Sequence, residues 1–200
     1  MAISLRFRQA RLNVPAIFSQ SRQEAVVFNE RYNGITMRYL ITFACYGVHL
    51  HGHESGSVDR HHNVYGSRPL RAEPQRVSHE RGQMVQEPYL LDQGRRAAVL
   101  EAIGDVCLNR GWNLRAAHVR STHVHVVMEA DIRPEKVLNY FKSYASRYLN
   151  GLGMDEPDRR RWARHGSTRW LWKDEDVREA IRYVVEEQGE PMAVYLSEEI

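Results

Sequence analysis

Two hundred residues, 42% hydrophobic and 26% charged, describe one ordinary globular domain with a full core and room for one insertion. Twenty-eight Lys+Arg against 25 Asp+Glu leave a net charge of only +3, which excludes a strongly basic or acidic tail protein; the excess of Arg over Lys is a weak pointer to nucleic acid. No apolar run approaches a helical membrane span, and Cys45 and Cys107, without any CxxC, read as buried thiols in a reducing compartment, so a cytoplasmic protein with no membrane partner is expected.

Residues 1–36 read as a tail. Arg6, Arg8, Arg11 and Arg22 occur with no acid in the first 23 positions, a composition shared by transit peptides and by overextended starts, and Met37 directly precedes the first strand pattern. The domain is placed at 37–195. Arg38–Tyr46 is strongly β and Gly47 ends it. Residues 48–92 show no period and read as a loop insertion, a substrate-facing flap. His49, His51 and His53 alternate within it and offer a second, less favoured metal site.

Val99, Leu100, Ile103, Val106 and Cys107 recur at helical spacing and Gly111 follows, which predicts a helix over 93–110. Trp112–Val119 reads as a strand with His118 on its surface. Arg120–Thr122 turns the chain into a second strand, where His123 and His125 share one face while Val124 and Val126 point into the core. Two imidazoles side by side on a rigid strand can hold one divalent metal ion. A pair of half-exposed surface histidines is the plainer alternative.

Pro134 opens a helix with a stripe of Val137, Leu138, Phe141, Tyr144, Ala145, Tyr148 and Leu149, closed by Gly151 and decorated by Lys142 and Arg147. A strand follows at 168–172. Between the two lies a basic segment, Arg159, Arg160, Arg161, Trp162 and Arg164, continued by Arg169. Arginine for phosphates and tryptophan for stacking on unpaired bases suit single-stranded nucleic acid, although a solvated charge run has the same composition. The order is β-α-β-β-α-β, which predicts an α+β, ferredoxin-like antiparallel sheet.

The last helix is marked by a capping box at Asp176 and Glu179 and by Gly189 and Pro191 beyond its end. Val177, Ile181, Val184 and Val185 form its buried stripe. Tyr183 falls on the flank of that stripe and is a candidate nucleophile, with Glu187 or Gln188 near enough to complete a metal site.

A His-hydrophobic-His strand, a following Lys/Arg/Tyr-rich helix, and a late helix bearing Tyr-Val-x-x-x-Gln resemble, in this order, the single-tyrosine HUH transposases of insertion sequences and their repeat-associated relatives. The resemblance covers residues 38–195. It implies a ferredoxin-like sheet with an added C-terminal catalytic helix, and a metal-dependent endonuclease and transposase acting on single-stranded, hairpin-bearing DNA through a 5′-phosphotyrosine. It further implies Mg²⁺ or Mn²⁺ as cofactor, His123 and His125 as ligands, Tyr183 as nucleophile, and action at the nucleoid. Lys142, with the basic segment, is expected on the DNA. In the family a glutamine four residues after the tyrosine is the third ligand. Here that position is Glu187 and the glutamine is Gln188; the resemblance favours Gln188, whereas a straight helix selects Glu187. Monomer and homodimer both stay open. Two rivals stand beside this reading: a non-cleaving hairpin-binding module, and an unrelated His-x-His phosphoesterase.

Overall fold

The computed structural model describes residues 36–48 and 74–198. The tail at 1–35 and the alternating histidines at 49–53 lie outside these residues. The elements are β1 (Met37–Cys45), α1 (Pro74–Gly82), α2 (Gln93–Arg110), β2 (Asn113–Val119), β3 (His123–Ala130), α3 (Pro134–Gly151), β4 (Trp162–Trp170), α4 (Asp174–Val185) and β5 (Ala193–Leu196). They build one five-stranded antiparallel sheet in the order β4-β1-β3-β2-β5. The ferredoxin-like core is therefore as expected, with α4 and β5 added after it.

The two faces of the sheet are covered differently, which creates the site. On one face Tyr39, Ile41, Phe43 and Cys45 of β1 alternate inward with Val124, Val126 and Met128 of β3, beneath α2 and α3. On the other, α4 crosses β2 and β3, and Ala180 and Val184 bury against Ala116, Val127 and Leu171. The central strand β3 is thus buried on both sides, as its near-continuous apolar run requires.

Local chemistry fixes the ends of the elements. Asp92 accepts the amide of Arg95 at the start of α2, and Gly111, at φ 67°, closes it in the left-handed conformation. Pro134 opens α3. Helix α4 is capped three residues earlier than expected, at Lys173: Asp176 stands at the third helical position and accepts from the Lys173 amide at 3.0 Å, so Glu179 plays no capping part.

Two further expectations are corrected, and one strand is new. Within the described part of the 48–92 insertion, α1 is a helix, and Tyr89 and Leu91 are buried, tied to the sheet by Tyr89 N–H to the Tyr46 carbonyl and Leu91 N–H to that of Ser121. Exposed α1 has no apolar stripe to betray it. The last core strand runs over Trp162–Trp170 instead of 168–172, so most of the basic segment is strand. An edge strand carries Arg, His and Ser on its open side, and the register shift opposite Phe43 and Cys45 breaks its alternation. Strand β5, which pairs with β2, had no counterpart in the sequence reading.

Candidate active site

The α4 face carries a row of aligned residues across the sheet: His118 of β2 opposite His125 of β3, which lies opposite Thr42 of β1, which lies opposite Ser167 of β4. His125 is 5% exposed. Its Nδ1 lies 2.7 Å from the Thr42 hydroxyl. His123 stands two residues back on the same face, with its Nδ1 2.9 Å from the hydroxyl of Thr122 and the two ring centroids 4.8 Å apart. A hydroxyl can accept the Nδ1 proton of a neutral imidazole, and that tautomer leaves Nε2 with a lone pair for an external ligand. Burial foremost, then the nearby His123, pushes the His125 pKa down to about 3, so the ring is neutral at ordinary pH.

Helix α4 brings Tyr183 over this pair. The Tyr183 ring lies 5.4 Å from that of His125 at 75°, edge to face, and the residue is 39% exposed, so its flank faces both the histidine and solvent. The Gln188 side chain lies beside His125, where it works against burial by raising the imidazole's pKa, and its Nε2 donates to the Tyr183 carbonyl at 3.2 Å. Glu187 is drawn away, with its carboxylate 3.1 Å from Nε of Arg182. The helix ends at Val185. Neither position therefore obeys the helical rotation that favoured Glu187, and it is Gln188 that turns back to the histidines.

The donor chemistry fits a divalent ion: two imidazoles held by hydroxyls, with an amide beside them. Among the described residues there is no group of three or more His, Cys, Asp and Glu side chains that could hold a metal, so such a site needs an amide, water or phosphate oxygen as its further donors.

His118 is not on the surface as expected. It is fully buried under α4, with Nδ1 2.9 Å from the Val184 carbonyl and Nε2 3.2 Å from the Met192 amide. Burial first, with the Arg120 charge adding, lowers its pKa, against the Val184 hydrogen bond. Sequence alone marks neither its partners nor Thr42, since cross-strand register and α4 placement are properties of the assembled sheet.

The residues assigned to nucleic acid separate into two groups. Arg161 is 3% exposed, its guanidinium donating to Asp155 at 2.8 Å and to Asn150 at 2.7 Å, so it is a buried structural ion pair and cannot reach a phosphate. Arg159 is spent on Gln86 and the carbonyls of Glu87 and Pro88. Lys142 donates to the carbonyls of Ala163 and His165 on the α3 side of the sheet, and burial lowers its pKa to about 8. Trp162 packs edge-on against Phe43 and donates to Ser146 and the Lys142 carbonyl. These four hold β4 in place. Arg160, Arg164 and Arg169 are exposed.

Among the described residues no helix is long and apolar enough to cross a membrane. No curated protein matches the chain. Two solved structures are distantly similar. A REP-associated tyrosine transposase bound to a REP hairpin is 12% identical with a TM-score of 0.41, over 76% of this chain and 66% of its own. A protein described as a transposase, from Deinococcus radiodurans, is 14% identical with a TM-score of 0.39, over 82% of this chain and 94% of its own. The chain thus spans just under two thirds of the first of these. The family model "Transposase IS200 like" matches residues 85–175, a stretch that holds His123 and His125 and stops before Tyr183. That central stretch, a little under half of the chain, is similar to the IS200-like transposases.

Proposed function

We propose that this protein is a metal-dependent transposase that cuts and rejoins single-stranded, hairpin-bearing DNA through a phosphotyrosine at Tyr183. The observation that carries the reading is the meeting of His125, Tyr183 and Gln188, from two elements far apart in sequence, on one face of the sheet. Nothing in core packing requires a half-exposed tyrosine to stand over a buried neutral histidine.

His123, His125 and Gln188 would hold Mg²⁺ or Mn²⁺. The ion, when bound, polarises the scissile phosphate and offsets charge on its oxygens. The chain supplies the rest. Thr122 and Thr42 keep the two imidazoles in one tautomer and orientation. Helix α4 holds the phenol beside them, at the solvent boundary where a DNA strand can enter. The Tyr183 hydroxyl gives up its proton as its oxygen attacks phosphorus; the 3′-oxygen leaves with its electron pair and takes up a proton to become the 3′-hydroxyl, and the 5′-phosphate stays on the tyrosine. With an ordinary phenol pKa about 10, tyrosine leaves more easily than a sugar hydroxyl, so an incoming 3′-hydroxyl reverses the step without a nucleotide cofactor. The exposed arginines along β4, Arg160, Arg164 and Arg169, would contact the DNA backbone.

The test is incubation with hairpin-bearing single-stranded DNA and Mn²⁺, followed by denaturing electrophoresis. A covalent protein–DNA adduct that needs the metal supports the reading; DNA retained without any adduct favours a hairpin-binding module instead.

A further inference from the structure

We propose that His118 is a positioning residue for this site, a neutral imidazole that clips the end of α4 and the turn bearing Gln188 onto the sheet. The inference rests on the reading of Tyr183 and Gln188 given above, and deepens it.

His118 is fully buried and directly opposite His125 across the β2–β3 ladder. Its two ring nitrogens have different, fixed jobs. The Val184 carbonyl has no proton to give, so Nδ1, 2.9 Å away, donates to it. The Met192 amide has only a proton to give, so Nε2, 3.2 Å away, accepts from it. Those two bonds define a single neutral tautomer and occupy both nitrogens. His118 therefore cannot serve as a third metal ligand, although it is the nearest histidine to His125 across the sheet.

The partners explain why a histidine is needed there. Val184 adjoins Tyr183, and its carbonyl is among the last four of α4, which lack helical partners. Met192 follows Gln188 by four residues and leads into β5. One ring thus spans both ends of the return that runs from the nucleophile helix to β5. Arg120, two residues further on, reaches the same return, its Nη1 donating to the Glu190 carbonyl at 3.1 Å. The pairing of β5 with β2, Val194 opposite His118 and Ala193 opposite Val119, completes the hold. Without these contacts a short return carrying Gln188 would hang between the end of a helix and a four-residue strand. An apolar residue at 118 would fill the space but leave the buried Val184 carbonyl unsatisfied and the Met192 amide without this partner.

Full-length wild type is compared with His118→Phe, His118→Asn and His118→Gln in three measurements. These are amide exchange of metal-free protein by mass spectrometry, affinity for hairpin-bearing single-stranded DNA, and the rate of adduct formation at saturating DNA and Mn²⁺. In the Phe variant, exchange over residues 186–196 should rise about tenfold or more, while that over 37–45 and 123–130 stays unchanged. Adduct formation should slow about tenfold or more with DNA affinity within twofold. The Asn amide can occupy the Nδ1 position and the Gln amide the Nε2 position, so each should restore part of both losses. Unchanged exchange over 186–196 in the Phe variant overturns the proposal, as does a normal adduct rate despite faster exchange. If the Phe variant does not fold, the other two decide: partial losses in exchange and adduct rate support the clip, and wild-type behaviour in both overturns it. A wild type that forms no adduct contradicts the catalytic reading, while the exchange measurement still judges the clip by itself.

Discussion

His125 shows how one side chain's surroundings decide its chemistry. A histidine in the unfolded chain takes up a proton near its ordinary 6.5, whereas the folded protein resists until about pH 3. Its contribution to stability is therefore intact above 6.5 and declines below, by about 1.4 kcal/mol per pH unit, as the unfolded state binds the proton first. His118, also lowered by burial, acts in the same direction. Urea unfolding in chelator at pH 7.5 and pH 5 should show a marked loss of stability on acidification, and His125→Gln should lose less than wild type. An identical pH dependence in the two proteins would contradict a neutral, buried His125. The histidine pair and its shared face were legible from alternation alone, because strand periodicity needs only neighbours in sequence. Thr42 and His118 were not, because their roles depend on which strands come to lie side by side.

At the level of elements, β4 is where sequence reading and structure differ most. The arginines of its basic segment suggested a connection that binds phosphates; instead Arg161 ties the strand to Asp155 and Asn150, and Arg159 ties it to the 83–92 segment. Charge count along a segment says nothing about which guanidinium finds a buried carboxylate such as Asp155, 60 residues from Arg95, its other partner. Helices α2 and α3 were legible to within a residue or two, since each carries an apolar stripe and an end signal. Gly166 lets β4 lie close against β1 on the core side of the sheet, behind the site. A methyl group there would meet the Thr42 carbonyl oxygen at 2.6 Å and Leu138 at 3.0 Å, and Thr42 orients His125. Gly166→Ala should cost about 1–3 kcal/mol in unfolding free energy. It should also slow adduct formation more than Ser167→Ala, which opens no clash. Equal adduct rates in the two variants would show that displacement of β1 does not reach the histidine.

For the whole molecule, the sheet separates two tasks. One face, under α2 and α3, is a packed core; the other, under α4, brings His125 and Tyr183 together; the β4 edge carries Arg164 and Arg169, with Arg160 two residues before it. If that edge tracks a DNA backbone, replacing these three by Gln should weaken binding and lower the salt slope by about 2 for a single strand, at roughly 0.7 for each phosphate no longer neutralised. Arg161→Gln should instead leave the slope unchanged and destabilise the fold, because it removes one of the two guanidinium groups that neutralise the buried Asp155 carboxylate. A slope unchanged in the triple variant would move the DNA path off β4.

The central claim is that Tyr183 is the residue joined to DNA. Tyr140, Tyr144 and Tyr148 are also helical, but they lie on α3, on the opposite face of the sheet from the histidines. The direct measurement is peptide mapping, by mass spectrometry, of the adduct formed with hairpin-bearing single-stranded DNA and Mn²⁺, alongside Tyr183→Phe. That substitution keeps the ring against His125 and removes only the oxygen, so folding and DNA binding should persist while the adduct vanishes. The account predicts a nucleotide remnant on the peptide containing Tyr183 and none on the α3 tyrosines. DNA attached to any other residue, or an undiminished adduct in the phenylalanine variant, would contradict it.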